Sequence, residues 1–221
     1  MTRKVGMVHT VERLIPMWDE LAEEMMPGTE VVHLVDEGLL KEIVAGGELT
    51  EERVSRLASL ASAAEASGAE AIMLTCSTIG PAVDTAKESV DVPFLKVDEA
   101  MADQAVQLGP RIGVIATLHT TLTPTSDLVR ARASTQGREV QVETVLCQGA
   151  FEALGAGDTD THDSIVIDRL KELMDRVDVV VLAQATMARV ADLISDEDKV
   201  VPILSSPRLG VERLRSVVAG E

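Results

Sequence analysis

Short runs of Val, Ile, Leu and Met alternate along the chain with stretches whose apolar side chains recur every three to four residues. The runs at 5–8, 31–35, 71–75 and 92–97 are bounded by turn residues and rich in Val and Ile, which predicts strands buried on both faces of a parallel sheet. Helical spacing occupies 11–26 and 50–67. In the second stretch Val54, Leu57, Ala58, Leu60 and Ala61 form one stripe. Thr50 ahead of Glu51 and Glu52 makes a capped start, and Gly68 stands where a left-handed residue ends a helix. The second half repeats the order, with strands at 112–116, 139–146, 178–183 and 200–204 and helices near 122–136, 161–176 and 186–195. A helix at 79–88 is expected to follow the run at 71–75. Strands alternating with helices imply right-handed crossovers and a parallel sheet in each half.

The halves are also alike in sequence. KVGMVHT at 4–10 matches RIGVIAT at 111–117, and Thr10 and Thr117 stand 107 apart. EAIMLTCST at 70–78 matches DVVVLAQAT at 178–186 at an offset of 108, and Val92-Pro93 matches Val201-Pro202 at 109. HLVDEGLLKEIVAGG at 33–47 pairs less closely with TVLCQGAFEALGAGD at 144–158. Several segments at nearly one offset, in one order, mark a duplication. The expected fold is α/β: two domains related by a pseudo-two-fold axis, each a parallel four-stranded sheet flanked by helices. Leu108-Gly109-Pro110 punctuates the middle of the chain. The expected domains are 1–98 plus 208–221, carrying Cys76, and 99–207, carrying Gln184. Ligands of open α/β sheets lie beyond the carboxyl ends of the strands. The tips His9-Thr10, Thr75-Cys76-Ser77-Thr78, Thr117 with Thr120 and Thr121, and Ala183-Gln184-Ala185-Thr186 are therefore expected to face one cleft.

Composition narrows the partners. The formal net charge of −17 over 221 residues disfavours nucleic acid and anionic membrane surfaces, since neither phosphate backbones nor acidic headgroups attract it. Apolar residues at 46% and charged residues at 26% describe a globular chain. Tyr is absent, and Trp18, Phe94 and Phe151 are the only other aromatic residues, so stacking platforms and large aryl ligands are disfavoured. No run approaches the ~18 apolar residues of a membrane span, and the apolar stretch after Arg3 and Lys4 is broken by His9, Glu12 and Arg13 before it resembles a leader. Two cysteines without a CxxC or Cys/His pairing point to neither a disulfide framework nor a metal site. The expectation is a soluble, reduced, cytoplasmic protein.

Candidate chemistry concentrates at the tips. Cys76 follows a core strand and precedes a predicted helix start, where unpaired N–H groups and the helix dipole favour a thiolate and a small carboxylate. Free cysteine also serves as a small buried hydrophobe, and that alternative stands beside the first. Cys147, in VLCQGAF, reads as structural. His9 is either a second acid/base group or a histidine bonded at a strand end. His119 lies beside the threonines of the second half, whereas His33 and His162 read as structural or exposed. Asp36 and Glu37 suit a helix start, and Arg189 and Arg208 suit solvated helix positions more than a distal carboxylate. No glycine-rich phosphate loop is present.

The first-strand tip VHT, the LTCST tip, the VIATLHTT stretch and the VVLAQAT tip resemble the aspartate/glutamate/hydantoin racemase superfamily over nearly the whole chain. The resemblance implies a pair of flavodoxin-like domains, no cofactor, and two cysteines flanking the α-carbon of a carboxylate substrate. It matches Cys76 to the first cysteine, and Ser77 and Thr78 to the pair that binds the carboxylate. Thr117 and Thr120 match substrate-lining threonines, Thr10 matches the hydroxyl after the first strand, and Thr75 belongs to the same cluster. The departure is Gln184, which stands where the second cysteine belongs; His9 also stands where a carboxylate is common, and Ala185 lacks the usual hydroxyl. A glutamine amide does not titrate near neutrality, so two-thiol racemisation is disfavoured. The expectation is one-base chemistry at the α-carbon of a small carboxylate by racemisation, isomerisation or decarboxylation, with Gln184 stabilising enolate charge. The alternative is a catalytically silent binder of small carboxylates. The family often forms dimers, and the apolar faces permit a homodimer or higher homo-oligomer.

Overall fold

The computed structural model describes residues 2–220. The chain divides into two compact units, Met1–Val97 with Pro207–Glu221, and Asp98–Ser206. The first holds strands β1 (Lys4–His9), β2 (Glu30–Val35), β3 (Ile72–Leu74) and β4 (Phe94–Lys96), all parallel, in the order β2-β1-β3-β4. The second holds β5 (Arg111–Ala116), β6 (Gln141–Leu146), β7 (Val179–Leu182) and β8 (Ile203–Ser205), parallel in the order β6-β5-β7-β8. Each unit is thus a four-stranded α/β layer with the strand order expected of the duplication.

The helices of the first unit are α1 (Ile15–Met25), α2 (Glu37–Val44), α3 (Glu51–Ala66) and the single turn α4 (Val83–Ala86). Thr50 caps α3 by accepting the Arg53 N–H, and Asp36 caps α2 by accepting the Leu39 N–H. Asp36 also binds Arg56 through both carboxylate oxygens, which gives it a structural role at the end of β2. Leu57, Ala61 and Ala64 of α3 pack on Val8, Ile72 and Leu74, the core beneath the sheet. The second unit contains α5 (Glu99–Leu108), α6 (His119–Thr135), α7 (Ala150–Gly155), α8 (Thr159–Met174) and α9 (Ala188–Leu193). Its core joins Ile115, Val180 and Leu182 to Leu170 and Leu173 of α8.

The glycine shared by KVGMVHT and RIGVIAT has the same physical cause in both units. A Cβ on Gly6 would lie 2.7 Å from Ala64 Cβ of α3, and one on Gly113 would lie 2.7 Å from Leu173 Cδ2 of α8. In each unit the crossing helix rests directly on the central strand's backbone.

Two features depart from the expected pattern. The segment after Cys76 is a 3-10 turn over Ser77–Ala82, followed by α4 and a second 3-10 turn over Lys87–Ser89, in place of the continuous helix expected over 79–88. The expected helix at 186–195 is likewise a 3-10 turn over Ala185–Met187 leading into α9. The last helix, α10 (Ser206–Ala219), belongs to the first unit, where a Cβ on Gly210 would lie 2.8 Å from the Val97 carbonyl oxygen. Among the described residues no helix is long and apolar enough to cross a membrane.

Candidate active site

The carboxyl end of β3 carries the thiol. Cys76 continues the extended backbone past Leu74, at φ −127° and ψ 109°, before the chain tightens into the 3-10 turn. The Thr10 and Thr78 hydroxyls and the N–H groups of Thr78 and Ile79 surround its sulfur, and each favours the anionic form. Thr10, Ser77 and Thr78 are buried, at 3%, 8% and 7% exposure, while Cys76 keeps partial exposure and packs against the core that includes Ile79. Burial is the largest influence and pushes the Cys76 thiol above its ordinary range; the four donors pull the other way. Burial thus works against the expected thiolate, and the neighbouring donors work for it.

His9 ends β1 beside this thiol and is fully buried. Its Nδ1 lies 3.0 Å from Thr75 Oγ1 and its Nε2 lies 2.8 Å from His33 Nδ1. Burial first, then the neighbouring His33 charge, lowers its pKa to about 4 against the opposing influence of Asp19. Both ring nitrogens are thus engaged within the residue's own unit. Thr75 bonds back to β1 as well, its hydroxyl standing 3.1 Å from the Val8 carbonyl oxygen.

The equivalent tip of the second unit ends β7. Gln184 Oε1 accepts the Thr117 N–H at 2.6 Å and the Thr117 hydroxyl at 2.9 Å. A backbone N–H can only donate, so this contact fixes which end of the carboxamide is oxygen. Its Nε2 hydrogens have no partner among the described residues and remain free to donate. Thr117 is buried, and the buried Thr120 Oγ1 has no hydrogen-bond partner. His119 is exposed at the start of α6. Cys147 is fully buried, and desolvation, opposed by Arg169, raises its pKa to about 12, in keeping with a structural residue.

Charged residues outside the tips pair locally. Arg208 binds Glu24 through both carboxylate oxygens. Arg189 binds Asp163, whose carboxylate also meets the buried His162 Nδ1 at 2.8 Å. Among the described residues no three His, Cys, Asp or Glu side chains converge as a metal would require. Reading the sequence missed Asp19, whose Oδ1 lies 2.8 Å from His33 Nε2, and passed over His33 as structural or exposed. The available signal was the placement of two histidines on neighbouring strands, with Met7 opposite His33 and His9 opposite Val35.

Two doubly wound parallel units, one with a thiol among hydroxyls at a strand tip and the other with a carboxamide at the matching place, define a duplicated α/β class. A family model for Asp/Glu/Hydantoin racemase matches residues 6–214. The chain belongs to the Asp/Glu/hydantoin racemase family. It is similar in structure to an aspartate racemase from Picrophilus torridus, at 16% identity and TM-score 0.74, over 98% of this chain and 94% of that one. A glutamate racemase of Bacillus anthracis matches at 16% identity and TM-score 0.75, over 99% of this chain and 82% of the other. An allantoin racemase from Klebsiella pneumoniae matches at 18% identity and TM-score 0.69, over 98% and 88%. At these identities the likeness is one of fold. No curated protein matches the sequence.

Proposed function

We propose that this chain is a cofactor-independent enzyme of the racemase, isomerase or decarboxylase type that uses Cys76 at the α-carbon of a small carboxylate. The observation that carries the reading is a partly exposed thiol at the end of β3 among buried Thr10, Ser77 and Thr78, with neighbouring hydroxyl and N–H groups that favour its anionic form. A thiol held neutral by burial suits donation of a proton to a carbanion, and the donors then stabilise the thiolate left behind. In the decarboxylating form, the bond to the leaving carboxylate breaks and its electron pair passes to the α-carbon. The Cys76 proton follows, and water reprotonates the sulfur. Ser77 and Thr78 are assigned to the retained carboxylate, and Thr10 and Thr75 to the shape of the tip.

The second unit contributes no titrating group at its tip in this reading. Gln184 offers only N–H donors, its oxygen being taken by Thr117, and Thr117 and Thr120 act as neutral polar groups. The chemistry is therefore one-base. Transfer of solvent deuterium to the α-carbon of a panel of small amino, hydroxy and dicarboxylic acids tests it. Turnover is expected in the native protein and absent in Cys76→Ser, whereas full activity in that variant removes the assignment.

The raised thiol pKa favours a second reading, in which the tip binds a small acid without turning it over. Ligand-protected alkylation of Cys76 with no solvent exchange at any α-carbon in the panel supports that reading.

A further inference from the structure

The β1–β3 ladder runs from Gly6 opposite Ile72 to Val8 opposite Leu74 and ends with the Thr75 N–H bonded to the Val8 carbonyl at 3.0 Å. Beyond that bond His9 and Thr75 are joined through their side chains, and Thr10 and Cys76 follow them on the two tips. The two pairs lie on different surroundings: His9 meets Trp18 of α1 at 6.3 Å between ring centroids, and Cys76 packs on the core under α3.

The His9–Thr75 pair continues outward. His9 Nε2 lies 2.8 Å from His33 Nδ1 on β2, the rings stacked at 5.0 Å between centroids, and His33 Nε2 lies 2.8 Å from Asp19 Oδ1 on α1. Asp19 is exposed, and with His33, Glu23 and Thr29 it lines a surface cavity of about 310 Å³. Counting hydrogens gives the chain a direction. With both imidazoles neutral, Thr75 O–H donates to His9 Nδ1, His9 Nε2–H to His33 Nδ1, and His33 Nε2–H to the Asp19 carboxylate. The Thr75 hydroxyl also has the Val8 carbonyl oxygen within reach, at 3.1 Å. The charged side chains at the outer end are Asp19 and Glu23; at the inner end the titrating neighbour is Cys76.

We propose that Asp19, His33 and His9 are positioning residues which, through Thr75, hold the two strand tips in register and so fix the place of Cys76, the residue that follows Thr75. The reactivity of the thiol is thereby set from the surface of α1. The inference deepens the reading of Cys76 as the proton-transfer group, but its test measures the thiol itself.

The experiment is the rate of Cys76 alkylation by iodoacetamide against pH in the full chain, with peptide mass mapping to separate Cys76 from Cys147. His33→Leu breaks the chain at its centre. Its rate at pH 7 is expected to fall roughly fivefold, what the loss of one ordinary hydrogen bond amounts to, with the midpoint moving to higher pH. His33→Gln keeps an acceptor for His9 and a donor for Asp19, and is expected to stay within about twofold of the native rate. Asp19→Leu, at an exposed site, shifts the profile in the same direction by less, and serves if His33→Leu does not fold. Profiles in His33→Leu and Asp19→Leu that overlay the native one, whatever their melting temperatures, overturn the proposal. Retained turnover in Cys76→Ser would remove the catalytic reading and leave this coupling measured.

Discussion

The two strand tips set a threonine beside different atoms. In the first unit the threonine after β1 stands by the sulfur of Cys76, where its hydroxyl favours the anionic form; in the second the threonine after β5 donates to the oxygen of Gln184. Thr10 and Thr117, and Cys76 and Gln184, occupy matching places in the duplication. Where the neighbouring atom is sulfur, the hydroxyl acts on a group that can gain and lose a proton. Where it is an amide oxygen, the hydrogen bonds occupy the acceptor and leave N–H donors. Equivalent places in the two units thus hold a titratable thiol in one and a carboxamide in the other.

The largest test of that difference is Cys76→Ser. Turnover is expected to fall at least ~10³-fold, because the serine hydroxyl is a far poorer acid than a thiol, with little change in melting temperature. Gln184→Glu keeps both acceptors for Thr117 and removes the N–H donors. If those donors stabilise developing negative charge, the rate constant falls by roughly 10²-fold, and an unchanged rate assigns the amide to structure alone.

His9 gives the first unit a pH dependence the second lacks at its own tip. Its folded pKa of about 4 lies below the usual histidine value near 6.5. Between those values the unfolded chain binds the proton and the folded one does not. This contribution is complete above pH 6.5 and is lost as pH falls toward 4, on the order of 3 kcal/mol in all. Urea unfolding across pH 4–7 reads it, and His9→Gln should flatten the slope.

The glycine pair supplies a smaller comparison. Gly6→Ala forces a methyl against Ala64 Cβ of α3, which has no rotamer to yield, and is expected to cost roughly 1–3 kcal/mol in urea unfolding. Gly113→Ala meets the end of Leu173, which can turn aside, and should cost less. Equal losses would mean that both helices sit equally rigidly.

Legibility in the sequence followed range of interaction. Strands at 5–8 and 112–116 announce themselves because a buried parallel strand is apolar at every position, whereas 31–35 is a half-exposed edge strand interrupted by His33; Thr50 and Gly68 mark α3 by local backbone needs. The Thr10, Cys76, Thr117 and Gln184 tips were visible through the duplication. The Asp19–His33–His9 chain was not legible, since its links join α1, β2 and β1 through contacts that no local pattern encodes. The net behaviour of the thiol was equally hidden. Donors around Cys76 can be inferred from Thr10, Ser77 and Thr78, but whether burial outweighs them depends on how tightly α3 and the 3-10 turn close over the sulfur.

Iodoacetate carries a carboxylate on the carbon that a thiolate attacks, and iodoacetamide is its neutral counterpart. On a chain of net charge −17, an ordinary surface thiol reacts faster with the neutral reagent. If the Cys76 tip holds a carboxylate with its α-carbon at the sulfur, Cys76 will alkylate faster with iodoacetate, with saturation kinetics, and Ser77→Ala with Thr78→Val will reverse the preference. Faster, unsaturable reaction with iodoacetamide in the native protein would contradict that account.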